Sequence, residues 1–343
     1  YINLSGLLYI SKINIMKITK LFLAVFAMGI ILASCKKDDE FTTQFIERDH
    51  QEVYDENIAE IEAFLESHTF NYAEFQDNLP YSDLSTSPAT ITPNDSYKIE
   101  FSELDESSSD LSIMDFLGST TYPMLVVDTI SQDGVDYNLY TLKVREGQGD
   151  SVHRLDKASV LYNGSLSDGT TFDSAVTVNT SFNLTTVGSN AGVIQGFREG
   201  LVQFKTSIGF SENESGEAVY HNHGIGAVFV PSGLGNFSTS VGSIPSYSPV
   251  FFRFRVISRG DTDYDLDGVP SHMEDLDGDG NGFNDDTDGD GLPNFIDNDD
   301  DGDGVLSRHE DIDEDGDPTN DDTNGNGIPN YLDATVSLSN QSS

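Results

Sequence analysis

Three rhythms of apolar and polar residues follow one another along this chain. After Asp49, residues Tyr54, Ile58, Ile61 and Leu65 recur at helical spacing, and Asp49 with Glu52 stands where a capping box would open a helix. Residues 71–118 carry little pattern: "STSPATITPNDS" reads as a loop and "ELDESSSD" as a solvated run. From "MLVVDTI" onward the rhythm is that of strands, continued in "YNLYTLKV", "ASVLYNGSL", "TTFDS", "SFNLTT", "GIGAVFVP" and "PVFFRFRVI". The first two are joined by "SQDGVD", whose Asp-Gly pair suits a hairpin turn. One helix is expected at "GVIQGFREGLVQF", where Val193, Phe197 and Leu201 fall at i, i+4 and i+8. Residues 120–258 therefore predict an α+β domain, an antiparallel sheet covered by one short helix. After Gly260 the hydrophobic pattern stops.

Charge divides the chain at the same place. Between Asp261 and Asp333 stand 26 acids and one base, Arg308, a net −25 of the chain's −42. The balance argues against a nucleic-acid partner, which would need a basic face, and suits a chain that holds cations.

The single cysteine excludes an intrachain disulfide. Lys17 and Lys20 precede the apolar run "LFLAVFAMGIIL", and "LASC" ends at Cys35. A basic start, a twelve-residue apolar run and small residues before a cut form a secretory signal, too short to span a bilayer as a mature helix. "LASC" resembles a bacterial lipobox, which implies cleavage before Cys35 and its lipidation. Met16 is the expected start, and "KKDDE" after the cysteine resembles the export signal of Bacteroidetes surface lipoproteins.

Four motifs in order, "VLYNGSLSDGTTFDSA", "GVIQGFREGL", "VFVPSGLG" and "IPSYSPVFFRFRVI", resemble the FKBP-type peptidyl-prolyl isomerases over roughly residues 140–258. The resemblance implies an apolar pocket for a proline ring, walled by Tyr162, Phe172, Phe182, Val193, Ile194, Phe197, Ile244 and Phe252, with Asp173 at the rim. Phe197 takes the floor position where many members carry Trp. The backbone N–H near Ile194 is expected to hold the peptide carbonyl. Two departures stand out. Asn236 replaces the Tyr usual two residues after the Leu, with Phe237 beside it, and no Arg follows to pair with Asp173. On an ordinary strand Phe172 and Asp173 point to opposite faces, unless the strand turns there. The insertion 207–224 carries His221 and His223, which read as part of a polar hairpin rather than as metal ligands.

The acidic tail is periodic. An EF-hand loop places oxygen ligands at positions 1, 3, 5, 9 and 12 and Gly at 6. "DDDGDGVLSRHE" supplies all of them as Asp299, Asp301, Asp303, Gly304, Ser307 and Glu310, and "DYDLDGVPSHME" as Asp263, Asp265, Asp267, Gly268, Ser271 and Glu274. Four further loops bring Asp275, Asp277 and Asp279; Asp286, Asp288, Asp290 and Asp297; Asp311, Asp313 and Asp315; and Asp322, Asn324, Asn326 and Asp333. Asp286 and Asp322 each end one loop and begin the next. Pro270, Pro293 and Pro329 leave no room for EF-hand helices. The segment thus resembles thrombospondin type 3 repeats, and its all-oxygen donors favour structural Ca2+.

The expected organisation is an upstream and signal segment (1–35), a tether (36–46), a helical and irregular segment (47–118), an FKBP-like α+β domain (119–259), calcium-binding repeats forming a rod with little regular structure (260–334) and a tail (335–343). The expected activity is prolyl isomerisation of X-Pro-containing exported polypeptides, with no catalytic cofactor and with membrane contact through the lipid anchor alone. Two alternatives stand beside it: a binding or adhesion module on an FKBP fold, and a spacer domain serving the calcium rod.

Overall fold

The computed structural model describes residues 46–76, 92–105 and 107–341. The signal, lipobox and most of the tether lie outside the described residues. The unit Arg48–Ser343 is described below.

Helix α1 (His50–Ser67) opens with Asp49 accepting a hydrogen bond from the Glu52 N–H at 3.0 Å. The reciprocal half of the expected box is absent, because Glu52 pairs with Arg48 at 2.8 Å. Strand β1 (His68–Phe70) follows, then the short helix α2 (Pro93–Ser96) and strand β2 (Phe101–Glu103), which pairs with β1. Thr92 and Asp95 form a capping box at α2, in a stretch whose composition predicts only a loop. Proline at the first helical position and the reciprocal cap suffice for one turn.

The main sheet is built from β3 (Met124–Gln132), β4 (Val135–Arg145), β5 (Lys157–Ser165), β6 (Thr171–Asn183), β9 (Gly224–Val230) and β10 (Val250–Gly260). Between β6 and β9 lie helix α3 (Gln195–Leu201) and the hairpin β7 (Gly209–Glu212) with β8 (Ala218–His221). The sheet order is β3-β4-β9-β10-β5-β6, antiparallel throughout. The β3–β4 turn has Asp133 at φ 51° and Gly134 at φ 78°, the paired left-handed geometry that Asp-Gly favours.

Both sheet faces are covered. On one, Val228, Val230, Phe252, Phe254 and Val256 pack with Phe197 and Leu201 of α3. On the other, Leu142, Phe229 and Phe251 pack with Ile61, Phe64 and Leu65 of α1. Every residue of β9 is buried, as a central strand with two covered faces requires. A Cβ on Gly196 would stand 2.3 Å from Val230 Cγ1, and one on Gly200 would stand 2.8 Å from Val228 Cβ, so both glycines let α3 lie close on the sheet.

Two expected elements differ. "TTFDS" and "SFNLTT" form the single strand β6, whose pairing with β5 skips residues 176–179 opposite Leu161. The helix begins at Gln195 and ends at Leu201, shorter than its apolar pattern, although Phe204 beyond it is still buried.

After β10, six 3-10 turns alternate with loops and no strand occurs among the described residues. Val269, Phe295 and Tyr331 are each buried here. Asn340 N–H donates to the His309 carbonyl at 2.8 Å, so the tail folds back on an acidic loop.

Candidate active site and acidic loops

Five of the eight predicted wall residues form a connected cluster of rings. Phe197, projecting from α3, lies stacked on Phe252 of β10 at 4.4 Å, and Tyr162 of β5 stands 5.6 Å from Phe182 and 6.2 Å from Phe197. Phe172 meets Phe252 edge-on at 5.5 Å. Ile244 is buried in the same cluster, with Val193 and Ile194 half-buried against it. Tyr162, Phe197 and Phe252 form the floor, while Phe172, Phe182, Val193 and Ile194 remain partly exposed as walls.

The coupling of Phe172 to Asp173 has a backbone cause. Pairing steps from Gly164↔Asp173 to Ser165↔Thr171, which leaves Phe172 as an unpaired bulge residue. A bulge cancels the strict alternation of faces. The Phe172 ring lies over Gly164, where a Cβ would come within 2.6 Å of it, and the Asp173 carboxylate accepts from the Tyr162 hydroxyl at 2.5 Å. Burial first, and Asp173 second, hold the Tyr162 hydroxyl protonated far above the usual phenol range. Asp173 thus takes a tyrosine as its partner where an arginine is missing.

Ile194 is the N-cap of α3; its carbonyl accepts from Phe197 and Arg198 N–H, both at 3.1 Å, and its own N–H lies outside the helical ladder. Asn236 sits in the Leu234–Ile244 loop, its carbonyl accepting from Thr239 at 2.9 Å. Phe237 is not available to replace the missing rim tyrosine: its ring stacks on His50 of α1 at 3.9 Å and meets Tyr247 at 5.1 Å. Sequence reasoning missed Asn57. Its buried side chain accepts from Ser232 N–H at 2.7 Å and donates to the Tyr247 carbonyl at 2.9 Å, so α1 pins both ends of the loop that carries Asn236 and Ile244. A polar residue on the apolar face of the predicted helix was its only signal.

His221 and His223 both lie fully buried. His221 Nδ1 stands 3.0 Å from Asp95 and its Nε2 2.8 Å from the Ser211 hydroxyl. His223 Nδ1 donates to the Tyr220 carbonyl at 3.0 Å. Burial, then the neighbouring Arg145 and Arg255, push His223 well below its ordinary value.

All six acidic loops repeat one construction. The position-6 glycines, Gly268, Gly280, Gly291, Gly304, Gly316 and Gly327, have φ between 81° and 98°. Each donates its N–H to the first carboxylate of its own loop, as Gly280 does to Asp275 and Gly327 to Asp322, both at 2.8 Å. Position 5 N–H bonds position 3 in every loop, for example Asp303 to Asp301 at 3.1 Å. In three loops the first three ligand side chains converge: Asp263, Asp265 and Asp267 cluster, as do Asp275, Asp277 and Asp279, and Asp286, Asp288 and Asp290. Position 9 is more varied than its spacing suggests. Ser271, Asn294, Ser307 and Asn330 accept from the second residue of their loops, whereas Asp285 and Asp321 take that place in the loops from Asp275 and Asp311.

One participant escaped the loop pattern altogether. Asp300, at position 2 of the Asp299 loop, converges with Asp267 and Glu274 of the Asp263 loop, all three buried. Both Glu274 carboxylate oxygens, Asp267 Oδ2 and Asp300 Oδ1 lack hydrogen-bond partners. Burial with acidic neighbours pushes Glu274 up to about 11 and Asp300 to about 9. Glu310, with both oxygens likewise unpartnered, rises to about 8. Such carboxylates cannot stay ionised together without a compensating cation.

Residues 149–226 match the family model of FKBP-type peptidyl-prolyl cis-trans isomerases. Residues 264–313 match a second model, described as BamM C-terminal. Among solved structures, FkpA from Escherichia coli is 27% identical over 39% of this chain and 51% of its own, with a TM-score of 0.29. A peptidyl-prolyl isomerase from Pseudomonas syringae is 21% identical over 39% of this chain and 80% of its own, and the three FKBP domains of wheat FKBP73 are 18% identical over 40% and 51%; both have TM-scores of 0.29. This chain thus spans about half the length of the FkpA chain it matches. No curated protein matches. The fold class is α+β, an antiparallel sheet with few helices, with a helical N-terminal region and a C-terminal part poor in regular structure.

Proposed function

We propose that this chain is a peptidyl-prolyl cis-trans isomerase of the FKBP type that assists exported polypeptides, with an envelope anchor at Cys35 and a C-terminal segment ordered by Ca2+. The observation that carries the reading is the convergence of Tyr162, Phe172, Asp173, Phe197 and Phe252, the first four of which lie inside the region whose sequence matches the isomerase family model.

Rotation about an X-Pro bond meets a barrier of about 18–20 kcal/mol that arises from amide resonance. Resonance places charge on the carbonyl oxygen, so an apolar wall disfavours the planar amide and favours the twisted one. Phe197 and Phe252 supply the apolar floor for the prolyl ring. Phe172 closes one side, Tyr162 and Asp173 orient the peptide at the rim, and the Ile194 N–H is placed to receive a carbonyl. No nucleophile or general base is needed.

The acidic loops fit Ca2+ by an all-oxygen donor set and by buried carboxylate oxygens left without partners. Asp263, Asp265, Asp267, Glu274 and Asp300 would hold one ion, and Asp299, Asp301, Asp303 and Glu310 another. Bound Ca2+ supplies charge neutralisation, and with it folding free energy.

A second reading, a peptide-binding module with little turnover, is favoured by Asn236 at the rim and by Phe237 being committed to His50. A protease-free cis/trans assay on short X-Pro peptides decides between them, run with Tyr162→Phe, Asp173→Asn and Asn236→Tyr. Turnover lowered by the first two variants supports the isomerase. No turnover in the parent chain, and a gain in Asn236→Tyr, establishes the binding module.

A further inference from the structure

A cluster of nitrogen and oxygen donors lies where the sheet domain joins the first acidic loop; His272 stands at position 10 of that loop, but none of the cluster's residues is among the loop ligands described above. His153 precedes β5, Asp156 immediately precedes that strand, and His272 sits in the first 3-10 turn after β10. His153 Nδ1 is 3.1 Å from Asp156 Oδ2, and His272 Nδ1 is 3.5 Å from Asp156 Oδ1. Asp261 Oδ1 stands 3.5 Å from the same His272 nitrogen. The imidazole rings lie parallel, with centroids 4.4 Å apart.

We propose that His153, Asp156 and His272, with Asp261 as a fourth donor, form a transition-metal site of the Zn2+ class that staples the sheet domain to the acidic loops. Three observations support it. First, His272 Nδ1 is buried without a hydrogen-bond partner, although it faces two carboxylates. A hydrogen bond would draw it to about 3 Å. The observed 3.5 Å matches instead the edge of a tetrahedron with metal–ligand bonds of about 2.1 Å, which is roughly 3.4 Å. Second, Asp156 is fully buried, and its Oδ1 receives only Arg259 Nη1 at 3.5 Å. Oδ2 is well served, accepting from the His153 N–H at 2.9 Å and from Arg259 Nη1 at 3.4 Å, so Oδ1, facing His272, is the oxygen left open to a metal ion. Third, two imidazoles with carboxylates form a borderline donor set, distinct from the all-oxygen loops, so this site selects Zn2+, Cu2+ or Ni2+ where the loops select Ca2+.

Arg259 lies against the cluster, but its guanidinium also donates to Asp261, and Asp150 adds further negative charge nearby. The site therefore tolerates a divalent ion beside that cation. Parallel rings direct their lone pairs side by side, so convergence on one ion asks one ring to tilt. His153, with 42% of its side chain exposed, has the room.

The test uses the full chain in saturating Ca2+, titrated with Zn2+ by calorimetry and with Co2+ by visible absorption, beside His153→Ala, His272→Ala and His272→Gln. Expected is one Zn2+ equivalent, an intense tetrahedral Co2+ band, and affinity weakened about a hundredfold by each histidine substitution, with unchanged far-ultraviolet circular dichroism. Zn2+ should also raise the melting temperature of the parent chain and not of the variants. Equal Zn2+ affinity in parent and variants, a pale oxygen-type Co2+ spectrum indifferent to the histidines, or no binding at micromolar Zn2+ overturns the assignment. His272→Gln keeps a polar side chain in place, so its loss of binding with a native spectrum cannot be ascribed to misfolding.

Discussion

Phe172→Ala distinguishes a ring that meets substrate from a ring that only holds the sheet together. Phe172 is half-buried, edge-on to Phe252 and seated over Gly164. Half the burial of a phenylalanine together with one edge-to-face pair comes to about 1–3 kcal/mol. Phe252, 7% exposed and stacked on Phe197, belongs to the floor, and its truncation falls in the range of about 3–5 kcal/mol. Phe172→Ala should therefore stay folded while its pocket loses a wall. If the ring covers roughly 55 Å² of a twisted prolyl group, the loss is about 1.4 kcal/mol, a tenfold fall in kcat/KM. Gly164→Ala provides a complementary perturbation: its new Cβ would meet the Phe172 ring at 2.6 Å and Phe252 at 3.0 Å, displacing the wall without deleting it. The protease-free cis/trans assay and urea unfolding, measured on the same preparations, give the two readouts. Unchanged turnover in Phe172→Ala, or a stability loss equal to that of Phe252→Ala, refutes the assignment of Phe172 to the pocket wall.

Asp300→Asn, although it changes the loop from Asp299, should weaken Ca2+ binding by the Asp263 loop, because its carboxylate converges with Asp267 and Glu274; calorimetry of this variant beside Asp313→Asn checks it, and equal effects on overall affinity would count against the shared site. Chelation of Ca2+ should unfold residues 261–333 before the sheet, read as early hydrogen exchange there; a site held at a hundred times its Kd stabilises by about 2.7 kcal/mol, so the loops should lose protection of that order, and identical exchange with and without chelator would contradict it. His223 is held below its ordinary value by burial and by Arg145 and Arg255. The unfolded chain therefore takes up the extra proton below about pH 6.5, and stability should fall as pH drops from 7 toward 5. Urea midpoints of the parent and His223→Asn across that range should diverge, and parallel curves would disprove the linkage.

The sheet and its pocket were legible because their information is local. Alternation announces β4, β5 and β10, Asp-Gly announces the β3–β4 turn, and the apolar spacing of α1 matches its buried face at Ile61 and Leu65. The loop glycines were legible for the same reason, since a fixed spacing demands a left-handed backbone at position 6. What stayed hidden depends on partners distant in sequence. The bulge that turns Phe172 and Asp173 to the same rim exists only in the pairing of β6 with β5. Asn57 shows its use only when the loop near Ser232 and Tyr247 comes to rest on α1. Asp300 reads as a spare acid until the Asp263 loop folds against it. The capping box at Thr92 and Asp95 was local yet overlooked, because the surrounding Ser, Thr and Pro residues suggest a loop.

The placement of α1 has a kinetic consequence. Its face packs on strands that include β10 at Phe251, and Asn57 waits for Tyr247, 190 residues further along. Closing so long a span costs about 4–5 kcal/mol of chain entropy before any contact offsets it. A chain synthesised or threaded from its N-terminus can lay α1 on β4, through Tyr54 with Asn138 and Glu62 with Tyr140, but cannot complete that packing until β10 has emerged, and this late closure should be the slow, aggregation-exposed step of folding.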